Sequence, residues 1–300
     1  MRYEFRSAEA CNMCGSLHRE VFGMRLNRSQ GLRPKRVGGI AVSIERCRDC
    51  GLLFANPLPV PEKMSDHYGI PPEDYWAAEV KGWEPSYFAR EIATAKRHID
   101  FRPGMRALDI GAGLGKCMKS LEAAGFDASG IEPTDVFRNR AISMMGVAPE
   151  RVQLATLEEA EFPAASFDFI TFGAVLEHLF DPDASLRKAL GWLRPGGVIQ
   201  AEVPNADYLV AKLVNLFFRL RGTNYVTNLN PMHPPFHLYE FTLDSFRRNG
   251  SRTGYEIAEH QFMVCSIFHV PRLLHPPLRW WMDRHDSGMQ LTVWLRPVQR

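Results

Sequence analysis

From residue 105 onward the chain alternates between two hydrophobic periods. Short apolar runs at Arg106–Ile110, Asp127–Ile131, Val152–Ala155, Phe167–Phe172 and Gly197–Val203 have the length of buried strands, and most are separated by segments of helical spacing. That alternation predicts an α/β fold, a doubly wound and mostly parallel sheet with helices on both faces. Ligands of such sheets bind beyond the carboxyl ends of the strands. A further helical pattern covers about 86–100, after aromatics at 68, 75, 76, 83, 87 and 88. Packing across a domain junction accounts for most of those aromatics, with one or two left to face a ligand.

After Cys50 the pattern stops at GLLFANPLPVPEK, where three prolines in five residues mark a linker that continues neither strand nor helix. The division expected is a small N-terminal domain over 1–60, a linker and leading helix over 61–100, and a large domain over 101–300 with an insertion at about 205–240. Within that insertion Leu209, Leu213, Leu216, Phe217 and Leu220 share one helical face, flanked by Lys212 and Arg219. A lid over an apolar ligand is the favoured reading, ahead of core packing and of a helix lying on a membrane surface. The tail reads as a proline-broken helical piece with exposed Trp280 and Trp281, then a closing strand at 289–295. Those tryptophans are candidates for the wall of a pocket or for a homodimer contact.

Composition narrows the setting. Three hundred residues with 45% hydrophobic side chains can bury a large core. The apolar run at 209–220 is too short to span a bilayer and the start lacks an apolar signal region, so a cytoplasmic protein is expected. In that compartment the six cysteines read as metal ligands, nucleophiles or core residues before disulfides. Cys11 and Cys14 in CNMCG, with Cys47 and Cys50 in CRDCG, form two C-x-x-C-G knuckles. Each gap lets two sulfurs face one ion and each glycine permits the tight turn, which gives four ligands for a closed, structural Zn²⁺ site. Cys117 and Cys265 default to buried thiols.

The stretch ALDIGAGLG at 107–115 ends the first predicted strand in a glycine loop, with Gly111, Gly113 and Gly115 spaced G-x-G-x-G and Asp109 just before them. Alone it does not separate a dinucleotide from another nucleoside ligand. The surroundings do: the second strand ends in GIEP, where Glu132 can accept from ribose hydroxyls. The pieces LDIGAGLG, GIEP, SFDFITFGAVLEHLFDP and LRPGGVIQAEVPN together resemble the class I S-adenosylmethionine-dependent methyltransferases over about 84–263. The resemblance implies a Rossmann-like seven-stranded sheet. It also implies that Asp109, Gly111, Ala112, Gly113 and Gly115 lie at the methionine part of the cofactor. Glu132 and Pro133 would lie at its ribose, Thr156 and Leu157 at its adenine, and Gly173 and Ala174 beside it. With the cysteine knuckles the chain resembles bacterial natural-product and sugar methyltransferases that carry a zinc-binding head.

Candidate bases are few. His178, in VLEHLFDP, falls just past the fourth strand, and PMHPPFHLYEFT brings His233 and His237 on a proline-stiffened loop. His237 is preferred for acid/base work, His178 comes next and His233 is accessory. A catalytic Mg²⁺ is disfavoured, because Ala174 stands where metal-dependent RNA methyltransferases have the first Glu of E-x-x-E-H. Three functions are therefore weighed. The first is O- or C-methylation of a small-molecule acceptor such as a natural product, sugar or polysaccharide precursor. The second is an RNA methyltransferase gripping nucleic acid with the zinc ribbon, and the third a non-catalytic, zinc-stabilised binding protein. Residues 1–60 are basic, ten Lys/Arg against five Asp/Glu, but 61–300 carry 26 against 29 and offer no phosphate track, which argues against nucleic acid.

Overall fold

The computed structural model describes residues 2–26, 41–62, 82–265, 267 and 270–298. Its larger part is a seven-stranded sheet in the order β12-β13-β10-β9-β6-β7-β8. Strands β6 (Arg106–Ile110), β7 (Asp127–Glu132), β8 (Val152–Leu154), β9 (Phe167–Gly173) and β10 (Leu193–Pro204) run parallel. Strand β13 (Gln290–Pro297) slots antiparallel between β10 and β12 (Tyr255–Met263). The seven-stranded, mostly parallel expectation therefore holds. The central strands are mostly apolar because both faces are covered: Phe167, Phe169, Ile170 and Phe172 of β9 are fully buried.

Helix α1 (Ala89–His98) precedes the sheet, and α2 (Lys116–Ala123), α3 (Asp135–Met145) and α4 (Pro182–Trp192) follow β6, β7 and β9. Then come α5 (Leu209–Leu220), α6 (Leu243–Thr253) and α7 (His275–Arg284). Helix α5 occupies the predicted span, but its apolar residues point the other way. Leu213, Leu216, Phe217 and Leu220 face solvent, Leu220 at 79% exposure. Val210, Ala211 and Val214 face inward instead. The reason is polar: Asn215 is buried, donating to Asn228 Oδ1 and accepting from the Thr227 N–H and hydroxyl, and this fixes the helix rotation.

The N-terminal module is a four-stranded antiparallel sheet, β11-β4-β3-β2, of which only three strands come from the N-terminal segment. These are β2 (Arg19–Leu26), β3 (Ala41–Cys47) and β4 (Leu53–Ala55); β11 (Tyr239–Glu240) returns from the other end of the chain. The proline run is not only a linker. Leu58–Pro61 forms strand β5, pairing with β1 (Tyr3–Arg6), and Glu62 N–H donates to Arg2 O. Donors toward β1 therefore fall at 58, 60 and 62, so Pro59 and Pro61 occupy positions where no N–H is needed. Residues Tyr68, Tyr75 and Trp76 of the predicted junction lie outside the described residues. Trp83 does pack against the large domain, its indole N–H donating to Ser120 Oγ at 2.8 Å.

Candidate active site

The glycine loop leaves β6 at the carboxyl edge of the sheet. Gly111 has φ 72°, and a Cβ there would lie 2.6 Å from Val175 Cγ2. Gly115, the N-cap of α2, has φ 77° and would drive a Cβ within 2.8 Å of Val147. Both positions thus require glycine, one to bring the loop against the 174–175 turn and one to bring α2 against its neighbours. The amides of Gly111 and Ala112 donate to Ile131 O, and that of Gly113 to Glu132 Oε2 at 2.9 Å. A loop that uses its amides internally is poorly suited to cradle a pyrophosphate.

Over this loop lies a cavity of about 270 Å³ lined by Gly111, Gly113, Glu132, Pro133, Thr156, Leu157, Ala174 and His178 among the residues expected from sequence. Ile110, Ile131, Phe137, Val175, Leu179 and Phe180 add an apolar wall that sequence reasoning did not single out. Among the described residues the cavity lining contains Glu132 and Glu158 but no Lys or Arg, which favours a cationic ligand. Glu132 is 5% exposed; its Oε1 accepts from the Thr134 amide and hydroxyl, and burial raises its pKa. The other expected residues are set back from the cavity. Ala112 packs in a cluster with Met118 and Val152, Gly173 faces Phe88, and Asp109 is buried beneath the loop. Its Oδ2 has no hydrogen-bond partner among the described residues, and burial lifts the Asp109 carboxyl to about 7.

A second cavity of about 590 Å³ opens on the far side of Ala174, which lines both. Its walls are Glu177, Glu202–Asn205, the inner face of α5, Thr227, Asn230, Pro235, His237, Glu240, Met289, Gln290 and, from β2, Arg25. At the partition the His178 and His237 rings meet edge to face, centroids 4.9 Å apart. Glu177 Oε1 lies 3.9 Å from His178 Nε2 and 3.8 Å from His237 Nε2. Burial raises the Glu177 carboxyl to about 8, and burial with the two neighbouring imidazoles holds His237 well below an ordinary histidine. Burial thus favours the neutral form of both groups. One ligand atom from each of Glu177, His178 and His237 lies within 4.8 Å of the others, close enough to hold an ion. His233 does not join them; it packs against Arg25, which with burial lowers it to about 4.

A family model described as a methyltransferase domain matches residues 82–260. The chain belongs to this family. Among curated relatives of the methyltransferase domain, the "Ubiquinone biosynthesis O-methyltransferase" of Aeromonas salmonicida is 36% identical over 155 residues, half of this chain and 63% of its own length. The protein of the same name from Aromatoleum aromaticum is 26% identical over 159 residues, 52% of this chain and 66% of its own. The chain thus spans between half and two thirds of the length of these relatives. Two solved structures share the fold. One is a chain from the complex between the Haloferax volcanii Trm112 methyltransferase activator and a methyltransferase, at TM-score 0.53, 15% identity and 79% and 99% coverage. The other is a protein from Pyrococcus horikoshii, at TM-score 0.50, 12% identity and 78% and 100% coverage.

The family match leaves the cysteine module outside it. There Cys11 and Cys50 sulfurs lie 3.5 Å apart, as do those of Cys14 and Cys47, and all four lie within 4.8 Å of one another. A tetrahedral zinc with bonds of about 2.3 Å wants sulfurs about 3.8 Å apart, so the cluster could bind zinc. Amides of Met13 and Cys14 point at the Cys11 sulfur and that of Leu52 at Cys50, the arrangement that supports thiolates. Gly15 and Gly51, at φ 75° and 78°, close the two turns. Cys117 lies beside Asp109, whereas Cys265 is exposed, against expectation, and donates to Gln290 Oε1. Among the described residues no helix is long and apolar enough to cross a membrane.

Proposed function

We propose that the protein transfers the methyl group of S-adenosylmethionine to an oxygen of a small-molecule acceptor held in the larger cavity, with a structural Zn²⁺ on Cys11, Cys14, Cys47 and Cys50. The observation that carries this reading is the contact of His178 and His237 at the partition, one lining the acidic cavity and the other the larger one. Oxygen is favoured over carbon because the curated relatives are named O-methyltransferases.

When bound, S-adenosylmethionine supplies an electrophilic methyl group on a sulfonium. Glu132 would accept from the ribose hydroxyls, Thr156 and Leu157 would flank the adenine, and Gly111 and Gly113 would allow close backbone approach. His237, at the partition, would take the proton that the acceptor oxygen gives up on methylation. Most of the acceleration comes from alignment, which can supply about 7–11 kcal/mol. His178 keeps its partner oriented, its own Nδ1 3.4 Å from Phe236 O.

A second reading has one observation in its favour: the Glu177 carboxyl, whose Oε1 faces His178 and His237, has its Oε2 buried without a partner among the described residues. Those three side chains suit a divalent cation that would polarise the acceptor oxygen. One experiment separates the readings. Tritiated-methyl cofactor is offered to a metabolite extract with zinc-loaded wild type and His237→Ala, with and without Mg²⁺ or Mn²⁺. We expect a metal-independent loss of turnover of about 10²-fold in the variant, with S-adenosylhomocysteine affinity kept. Equal turnover removes His237 as the base, and turnover that follows added cation selects the second reading.

A further inference from the structure

The segment that carries His237 is laid along the cysteine module for most of its length. At its start Met24 N–H donates to Asn224 O and Val226 N–H to Met24 O. The approach is so close that a Cβ on Gly23 would lie 2.4 Å from Val226 Cγ1. At its end Ala55 N–H donates to Leu238 O, and β11 completes the module's sheet. Between these points stands Arg25. Its Nε donates to Leu229 O at 2.8 Å, and Nη2 to Asn230 Oδ1 at 2.7 Å with His233 Nε2 at 3.4 Å. Asn230 N–H then donates to His237 O at 3.1 Å. The guanidinium is mostly buried and faces the Glu240 carboxylate, which itself accepts from Asn228 and the Leu229 amide.

Resting on the reading of His237 as the base, we infer that Arg25 is a positioning residue for methyl transfer: from the cysteine module it fixes, through Asn230, the backbone that holds His237 at the partition. Among the described residues none of the module lines the smaller cavity, so the control acts on transfer and leaves cofactor binding alone. A planar fork suits this task, because two donors on one rigid group hold Leu229 and Asn230 in fixed relation, which a lysine ammonium does not do.

The test uses the full zinc-loaded chain. In hydrogen exchange, Arg25→Ala is expected to speed exchange of the amides at 230–238 by about tenfold or more, while the 107–116 peptide stays as in wild type. In the tritium assay on the metabolite extract, Arg25→Ala is expected to lower turnover at least about tenfold in the wild-type background and less than about twofold in the His237→Ala background. S-adenosylhomocysteine affinity and zinc content stay unchanged. Arg25→Lys, which keeps the charge and loses the fork, carries the same comparison if the alanine variant does not fold. Unchanged exchange at 230–238, or equal penalties in both backgrounds, overturns the inference. A His237→Ala enzyme with full turnover removes the reading beneath it, a result recognisable from that single variant alone.

Discussion

The two cavities that meet at Ala174 are assembled in opposite ways. The smaller is made from the ends of successive parallel strands, at 110–113, 131–133, 155–158 and 174–180, so each wall is local to one strand and its loop. The larger draws on Arg25 of β2, on Ala174 and Glu177, on the long stretch from the end of β10 through α5 to the 227–240 return, and on Met289 and Gln290, so its walls come from widely separated parts of the chain. A cavity of the first kind comes with the fold itself. One of the second kind depends on how distant elements close over it, and here a cysteine module is one of them.

That contrast can be broken most forcefully at the cysteines. Cys50→Ser should abolish zinc binding, and with it about 10 kcal/mol or more of metal-linked folding energy in the module. Because β11 and Arg25 belong to the larger cavity, methyl transfer should vanish while S-adenosylhomocysteine still binds within a few-fold, as read by calorimetry beside zinc analysis. Retained transfer would show the larger cavity standing without the module. A smaller effect probes the other side: Glu132→Ala should weaken cofactor binding by about 1–3 kcal/mol and leave exchange at 230–238 as it was. Unaltered affinity would count against the ribose assignment.

The gentlest probe is pH. Asp109 has a folded pKa raised to about 7 by burial, from an unfolded value of 3.8, so its contribution is fullest below that unfolded value and is lost as pH rises through about 7. Asp109→Asn should therefore gain thermal stability relative to wild type as pH increases from about 4 to 7, and the gain should level off above. A constant difference across that window would mean that Asp109 is ionised throughout.

The same contrast governs what could be read from the sequence. Strand β6 and helix α5 fall on their predicted spans, and Gly111, Gly113, Glu132, Thr156 and Leu157 line one cavity, because each lies at or just past the end of a strand. The four cysteines were legible for a similar reason, two repeated spacings. The face of α5 was not, since an apolar stripe predicts a buried side only when no polar network overrides it, and Asn215 does. Strand β5 was hidden by its prolines, and β12 carries Glu256, Glu259, His260 and Gln261 in its nine residues, which weaken the strand signal. Arg25 carried no signal at all: its meaning comes from Leu229 and Asn230, two hundred residues away in the chain.

Thr242 caps α6 by accepting from Ser245 N–H while its hydroxyl donates to Cys50 O, so a helix of the catalytic half begins on a knuckle of the N-terminal half. Anyone wishing to graft this head onto another enzyme cannot simply cut the chain near residue 60. The transplant would have to bring the 224–242 return with it, and any chimaera lacking that stretch would inherit a head with an open edge and a host with an unsupported wall.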